Sequence, residues 1–138
     1  MIEMELNKIV IDEKRHDQLI ALKEKGGARV LPIVIGLNEA SAIKLKISGF
    51  KPPRPLTHDL MFSIVKDLGA TVEKVIIDRL QENTFHAKII LKTGSGSLKT
   101  IDARPSDSIA LAVRFHAPIL VEDEIINKYE MFNKEKKP

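Results

Sequence analysis

Asp102-Ala-Arg-Pro-Ser-Asp-Ser-Ile-Ala-Leu-Ala-Val-Arg114 decides how this chain is read. A strand closes at Asp102 and Ala103. Pro105 pushes Arg104 out of helical backbone space. Ser106 is placed to cap a helix, with Asp107 in its first turn, where a carboxylate meets the positive end of the helix dipole. Ile109 to Val113 form the apolar body of that helix. Asp102, Arg104, Ser106 and Asp107 are thereby gathered at one strand-to-helix turn, which is either a stiff corner or a site. A second turn of this kind is Arg54-Pro-Leu-Thr-His-Asp-Leu60, with Thr57 as cap and His58 and Asp59 in the first turn. Before it lies Gly49 to Pro55, with three prolines and no periodicity, which reads as an exposed loop.

Period assigns the other elements. Phe85, Ala87, Ile89 and Leu91 alternate with His86, Lys88, Ile90 and Lys92, a strand with one more apolar face. Glu82-Asn83 reads as a tight hairpin turn. Leu60, Met61, Ile64, Val65 and Leu68 follow helical spacing, and Gly69 stops that helix. Ile125, Ile126, Tyr129 and Phe132 mark a last helix. Lys8-Ile-Val-Ile-Asp12 matches Lys74-Val-Ile-Ile-Asp78. Each is followed by a strand ending Leu-Lys, a glycine-bearing turn, a third strand and an acidic helix start, at Asn38-Glu39 and at Ser106-Asp107. The expectation is one compact α+β domain over 1–132, with a mixed β-sheet core and about four helices. It is expected to repeat a strand-strand-strand-helix-helix unit in halves 1–68 and 69–132. Residues 133–138, with Lys134, Lys136 and Lys137, are expected to be a basic flexible tail.

A chain of 138 residues with 43% hydrophobic and 30% charged residues builds its own core without staples. The absence of cysteine excludes thiol catalysis and cysteine-ligated zinc, and fits a reducing cytoplasm. The Glu3–Asp12 stretch alternates charged and apolar residues, unlike a signal peptide. No apolar run approaches the ~20 residues a spanning helix needs, so no membrane role is expected. Net charge is +3, with Lys44, Lys46, Lys51 and Arg54 in one segment. Aromatic residues are 4% of the chain and tryptophan is absent, so nucleic-acid contact is expected at phosphates rather than by base stacking. The segment at Leu19 to Leu22 is apolar on both strand faces, more than a two-layer monomer needs, and predicts a homodimer.

The two turns, with Leu31-Pro-Ile-Val-Ile-Gly-Leu-Asn-Glu-Ala40 upstream and Pro118-Ile-Leu-Val-Glu-Asp-Glu124 downstream, resemble the bifunctional nuclease domain family. The resemblance runs from about Gln18 to Ile126. It implies an α+β domain acting on DNA and RNA, and assigns no role to individual residues. Phosphodiester hydrolysis needs an activated water, neutralised phosphoryl oxygens and help for the leaving oxygen. His58, Asp59, Asp102 and Asp107 are the catalytic candidates. The three aspartates are also possible oxygen ligands for Mg²⁺ or Mn²⁺. Arg54, Arg104 and Arg114 suit phosphate in forked geometry. Glu39 reads as a first-turn helix acid. His16, His86 and His116 have no metal-ligand spacing and read as surface or strand-face residues. The interleaved arginines work against a metal by neutralising the acids first. A non-catalytic module binding nucleic acid or another anionic ligand is therefore the rival reading.

Overall fold

The structure is a computed structural model and describes residues 1–15 and 17–136; His16 and the last two residues of the expected tail lie outside the described residues. In chain order the elements are β1 (Ile2–Val10), β2 (Gln18–Glu24), β3 (Val30–Ile35), α1 (Leu37–Ile47), α2 (Thr57–Asp67), β4 (Thr71–Gln81), β5 (Thr84–Lys92), β6 (Leu98–Ala103), α3 (Pro105–Phe115), β7 (Ile119–Val121) and α4 (Asp123–Lys136). The strands form one seven-stranded mixed sheet in the order β3-β2-β1-β7-β4-β5-β6. Two antiparallel meanders, β1-β2-β3 and β4-β5-β6, flank β7. That short strand runs antiparallel to β1 and parallel to β4.

The β4–β5 hairpin turns at Glu82 and Asn83, both at positive φ, which matches the twist of a two-residue hairpin. Along β5, Ala87 and Ile89 are buried on the side that pairs with Ile77 and Val75 of β4. The same side carries Ile20, Leu22, Leu31 and Ile33 in the first meander, all with 2% exposure or less. Against this side pack α1, over β2, and α3, over β4 and β5. Eight of the eleven residues of α3 are buried, so it is the central helix of the domain. Ala110 and Ala112 are small enough to let α1 and α2 approach it closely.

Helices α1 and α2 end alike. Gly49 and Gly69 adopt positive φ. Phe50 N–H donates to Leu45 O, and Ala70 N–H donates to Val65 O, the six-to-one bond of the Schellman motif. The apolar spacing that predicts α2 marks its buried side only in part: Met61 packs on the core and Val65 is half-buried. Leu60, Ile64 and Leu68 are 54%, 50% and 80% exposed, and only His58 is buried in this helix. The reason is position: α2 rests on α3 rather than on the sheet, through Phe62, whose ring packs tilted against Phe115 with centroids 4.5 Å apart, and through polar contacts.

The order strand-strand-strand-helix holds in both halves, but the halves diverge afterwards. The extended piece after α3 is strand β7, whereas its expected counterpart at Pro55-Leu56 belongs to the loop before α2. The Lys-Ile-Val-Ile-Asp pair shares one local feature. The register shifts just before Lys8 in β1 and just before Lys74 in β4. Such bulges bend the strand and increase its twist.

Candidate active site at three helix N-termini

Helix starts, rather than strand ends, build the site. The caps differ from the serine and threonine expected. The N-cap of α3 is Arg104, with Pro105 at the first helical position, and that of α2 is Leu56, with Thr57 at the first. Proline favours the first helical position because its fixed φ is preorganised and its missing N–H would be unpaired there. The helix therefore starts before Ser106, which is buried inside it. The N-cap of α1 is Gly36. In each helix the third residue is then an acid: Glu39, Asp59 and Asp107.

Two of these acids, Glu39 and Asp107, share Arg104, His58 bonds Asp107, and Asp59 has its own arginine, Arg114. Arg104 donates from Nε to Asp107 Oδ2 at 2.9 Å and from an Nη to Glu39 Oε1 at 3.1 Å. His58 Nε2 lies 2.9 Å from Asp107 Oδ1. Arg114 donates from Nε to Asp59 Oδ1 at 2.9 Å and from Nη1 to Ala110 O at 2.9 Å. The Leu56 N–H donates to Asp59 Oδ2 at 3.0 Å. The two turns, 49 residues apart between His58 and Asp107, thus meet directly, at the ends of α2 and α3.

Burial works to raise the Asp107 carboxyl, but the hydrogen bond from Arg104 and that from His58 outweigh it and hold it below the ordinary carboxylate range. Burial likewise works to raise Asp59, outweighed by the Leu56 N–H and the Arg114 guanidinium. The hydrogen bond and charge of Asp107 raise Arg104 further above its already high range, so it stays charged. A deprotonated Asp107 only accepts, so His58 Nε2 must carry the proton between them. In neutral His58 the basic lone pair is then on Nδ1.

The candidates separate into two groups. His58, Asp59, Asp107, Arg104 and Arg114 come together. Asp102 does not: it sits in exposed β6, where its register partner is Lys88, on the strand face opposite Ala103. Arg54 lies in the exposed loop and makes no ion pair among the described residues. Glu39, read from sequence only as a helix-start acid, is a member of the network. Its signal was that it occupies the same turn position as Asp59 and Asp107. As ligands for Mg²⁺ or Mn²⁺ the three aspartates do not fit. Asp59 and Asp107 are each held by an arginine, Asp102 lies apart, and no group of three His, Asp or Glu is placed to hold a metal ion among the described residues.

Two clefts open at this network. One, of about 610 Å³ between α1 and α2, is lined by Glu39, Leu45, Leu56, His58 and Arg104. The other, of about 410 Å³, lies across the shared wall of Leu45, Pro55 and Leu56, and holds Asp59 and Arg114. Lys46 and Lys51 line this second cleft.

The fold and this network define an α+β domain whose polar centre joins three helix starts. The chain belongs to the bifunctional nuclease domain family, whose model matches residues 19–134. Among its relatives is uncharacterized protein Rv1829 of Mycobacterium tuberculosis (strain ATCC 25618 / H37Rv), 41% identical over 91% of this chain and 74% of that protein. Bifunctional nuclease 1 of Arabidopsis thaliana is 28% identical over 86% of this chain, and bifunctional nuclease 1 of Oryza sativa subsp. japonica 24% identical over 83%. The chain aligns with about a third of each plant protein's length, 35% in both cases. No helix among the described residues is long and apolar enough to cross a membrane.

Proposed function

We propose that the domain is a nuclease that hydrolyses phosphodiester bonds of DNA and RNA without marked sequence specificity. The observation that carries this reading is the His58–Asp107–Arg104 constellation opening on a cleft. It pairs an oriented imidazole with a charged guanidinium that is two-thirds exposed. The names of the plant relatives point the same way.

The chemistry follows from the atoms. One site that cuts both DNA and RNA does not depend on the 2′-hydroxyl, which DNA lacks, and a water placed beside His58 serves as nucleophile for both. His58 Nδ1 takes a proton from that water as its oxygen attacks phosphorus. Asp107 holds the ring in the required tautomer and stabilises the imidazolium that forms. Arg104 neutralises charge on the phosphoryl oxygens. The P–O bond to the leaving sugar oxygen breaks, and that oxygen regains a proton from the imidazolium or from solvent. Lys46 and Lys51 line the neighbouring cleft and attract the backbone. Arg114 and Asp59 hold α2 on α3 and thereby position His58.

The test is cleavage of single- and double-stranded DNA and of RNA by purified protein, with and without EDTA. His58→Ala is expected to lower the rate by about 10²-fold. Arg104→Ala is expected to lower it by about an order of magnitude or more, the worth of a charge-assisted phosphate contact. Arg104→Ala should keep a wild-type melting curve to within a few degrees, whereas His58→Ala, which removes a contact holding α2 on α3, is read at a temperature where its own melting curve shows it folded. Folded variants cutting at unchanged rates would remove the site. Binding of nucleic acid without cleavage by the wild type would favour the rival reading of a non-catalytic anion-binding module.

A further inference from the structure

Low aromatic content argued against base stacking, yet two of the five phenylalanines line one cleft beside the site. Phe50 and Phe62 face the cleft of about 410 Å³ that also carries Lys46, Lys51 and Pro53. Its volume is within the range of small-molecule pockets. We infer that this cleft takes one unpaired nucleobase of a single-stranded polynucleotide, while Lys46 and Lys51 hold the flanking phosphate. The inference rests on the proposed function and names its substrate strand type.

Four observations support it. Phe50 is 53% exposed although large and apolar, so its ring has a free face. Its backbone is fixed nonetheless: the Schellman bond to Leu45 O places it at a set point after α1. Phe62 is held by Phe115 on one contact and by Lys66 at 5.7 Å from its centroid, making it a stiff wall. Finally, the cleft's one carboxylate does not repel a phosphate strongly. Both oxygens of Asp59 are engaged, by Arg114 and by the Leu56 N–H. Lys46 and Lys51, by contrast, have no ion-pair partner among the described residues. Because Pro55 and Leu56 wall both clefts, a strand crossing them presents a base to Phe50 and the adjoining phosphodiester to His58 and Arg104. A paired base has both faces stacked and its edge bonded, and cannot enter without being extruded, which costs a few kcal/mol.

The probe is a fluorescein-labelled oligothymidylate with phosphorothioate linkages. It is compared with an abasic chain of equal length and with the corresponding duplex, and binding is read by anisotropy. The wild type is expected to bind the thymidylate strand roughly tenfold or more tightly than either comparison, the scale of one base–aromatic stack. Phe50→Ala should abolish that preference, Phe50→Trp should restore it, and Lys51→Ala should weaken all three ligands together. Equal binding of the abasic chain, no binding at all, or an unchanged preference in Phe50→Ala overturns the inference. Cleavage is measured separately on ordinary DNA. Cleavage without base-dependent binding removes this inference alone, and base-dependent binding without cleavage removes the nuclease reading alone.

Discussion

Asp59 shows how one residue serves both stability and the site. Its two oxygens fix the start of α2 and neutralise Arg114, whose side chain is 3% exposed. Asp59→Asn keeps the shape but leaves a buried guanidinium facing a neutral amide. The expected cost is about 1–3 kcal/mol, read as a lower denaturation midpoint. The pH dependence has a definite sign. Asp59 and Asp107 both titrate below the ordinary carboxylate range in the folded chain, so near pH ~4 the unfolded chain binds more protons. Their contribution is complete above that pH and is lost as pH falls through their folded values. Melting temperatures measured from about pH 6 downward should therefore fall on the acid side, and Asp59→Asn or Asp107→Asn should flatten that fall. At this scale the sequence was legible in kind but not in partner. Arginines and acids at two turns were visible, whereas the pairing of Arg114 with Asp59, 55 residues away, depends on how α2 lies on α3. Asp102 looked equivalent to Asp107 because both flank one turn. Strand alternation sends it to the far face of β6.

Helix α2 is the element whose sequence pattern misleads most. Its apolar residues are spaced as in a buried helix, yet Leu60, Ile64 and Leu68 face outward. The pattern reports the period of the helix and not which side is covered. By contrast, its end at Gly69 and the hairpin at Glu82-Asn83 were readable because they depend on local backbone geometry alone. An element held by one histidine, one ion pair, one aromatic contact and the packing of Met61 opens more easily than α3, which is buried along most of its length. Amide hydrogen exchange should show α2 protected less than α3, by a clear margin in slowest-exchanging sites. Gly49→Ala tests the other end of the connecting loop. Its φ of 79° is strained for any residue with a Cβ, so a loss of roughly 1 kcal/mol is expected. Because Phe50 follows directly, the same substitution should also weaken binding of a single strand. A stability loss with unchanged binding would show that the motif sets only the helix end.

At the scale of the molecule, the seven-stranded α+β architecture with four helices agrees with the reading from period and turn chemistry. The strand order was beyond that reading, since β7 is three residues long and carries no periodic signal. We propose a homodimer, on the face of the first meander away from α1. There Val10, Leu19 and Val34 align across three strands, and Val10 and Val34 are 41% and 60% exposed. Light scattering at micromolar concentration should give twice the chain mass, and Val34→Lys should halve it; a monomeric wild type would refute the proposal. The position of β7 has a consequence for synthesis. Ile2 of β1 pairs with Val121 of β7, with the whole second meander between them in sequence, and β7 is the strand through which the two meanders join. During translation the first meander can emerge and close locally, but the β1 edge that pairs with β7 stays open until Ile119 to Val121 have left the ribosome. An open strand edge is a template for wrong partners. The nascent chain is thus most exposed to aggregation while the second half is being made, and a chain released before Ile119 should precipitate or be degraded rather than accumulate as a half-sheet.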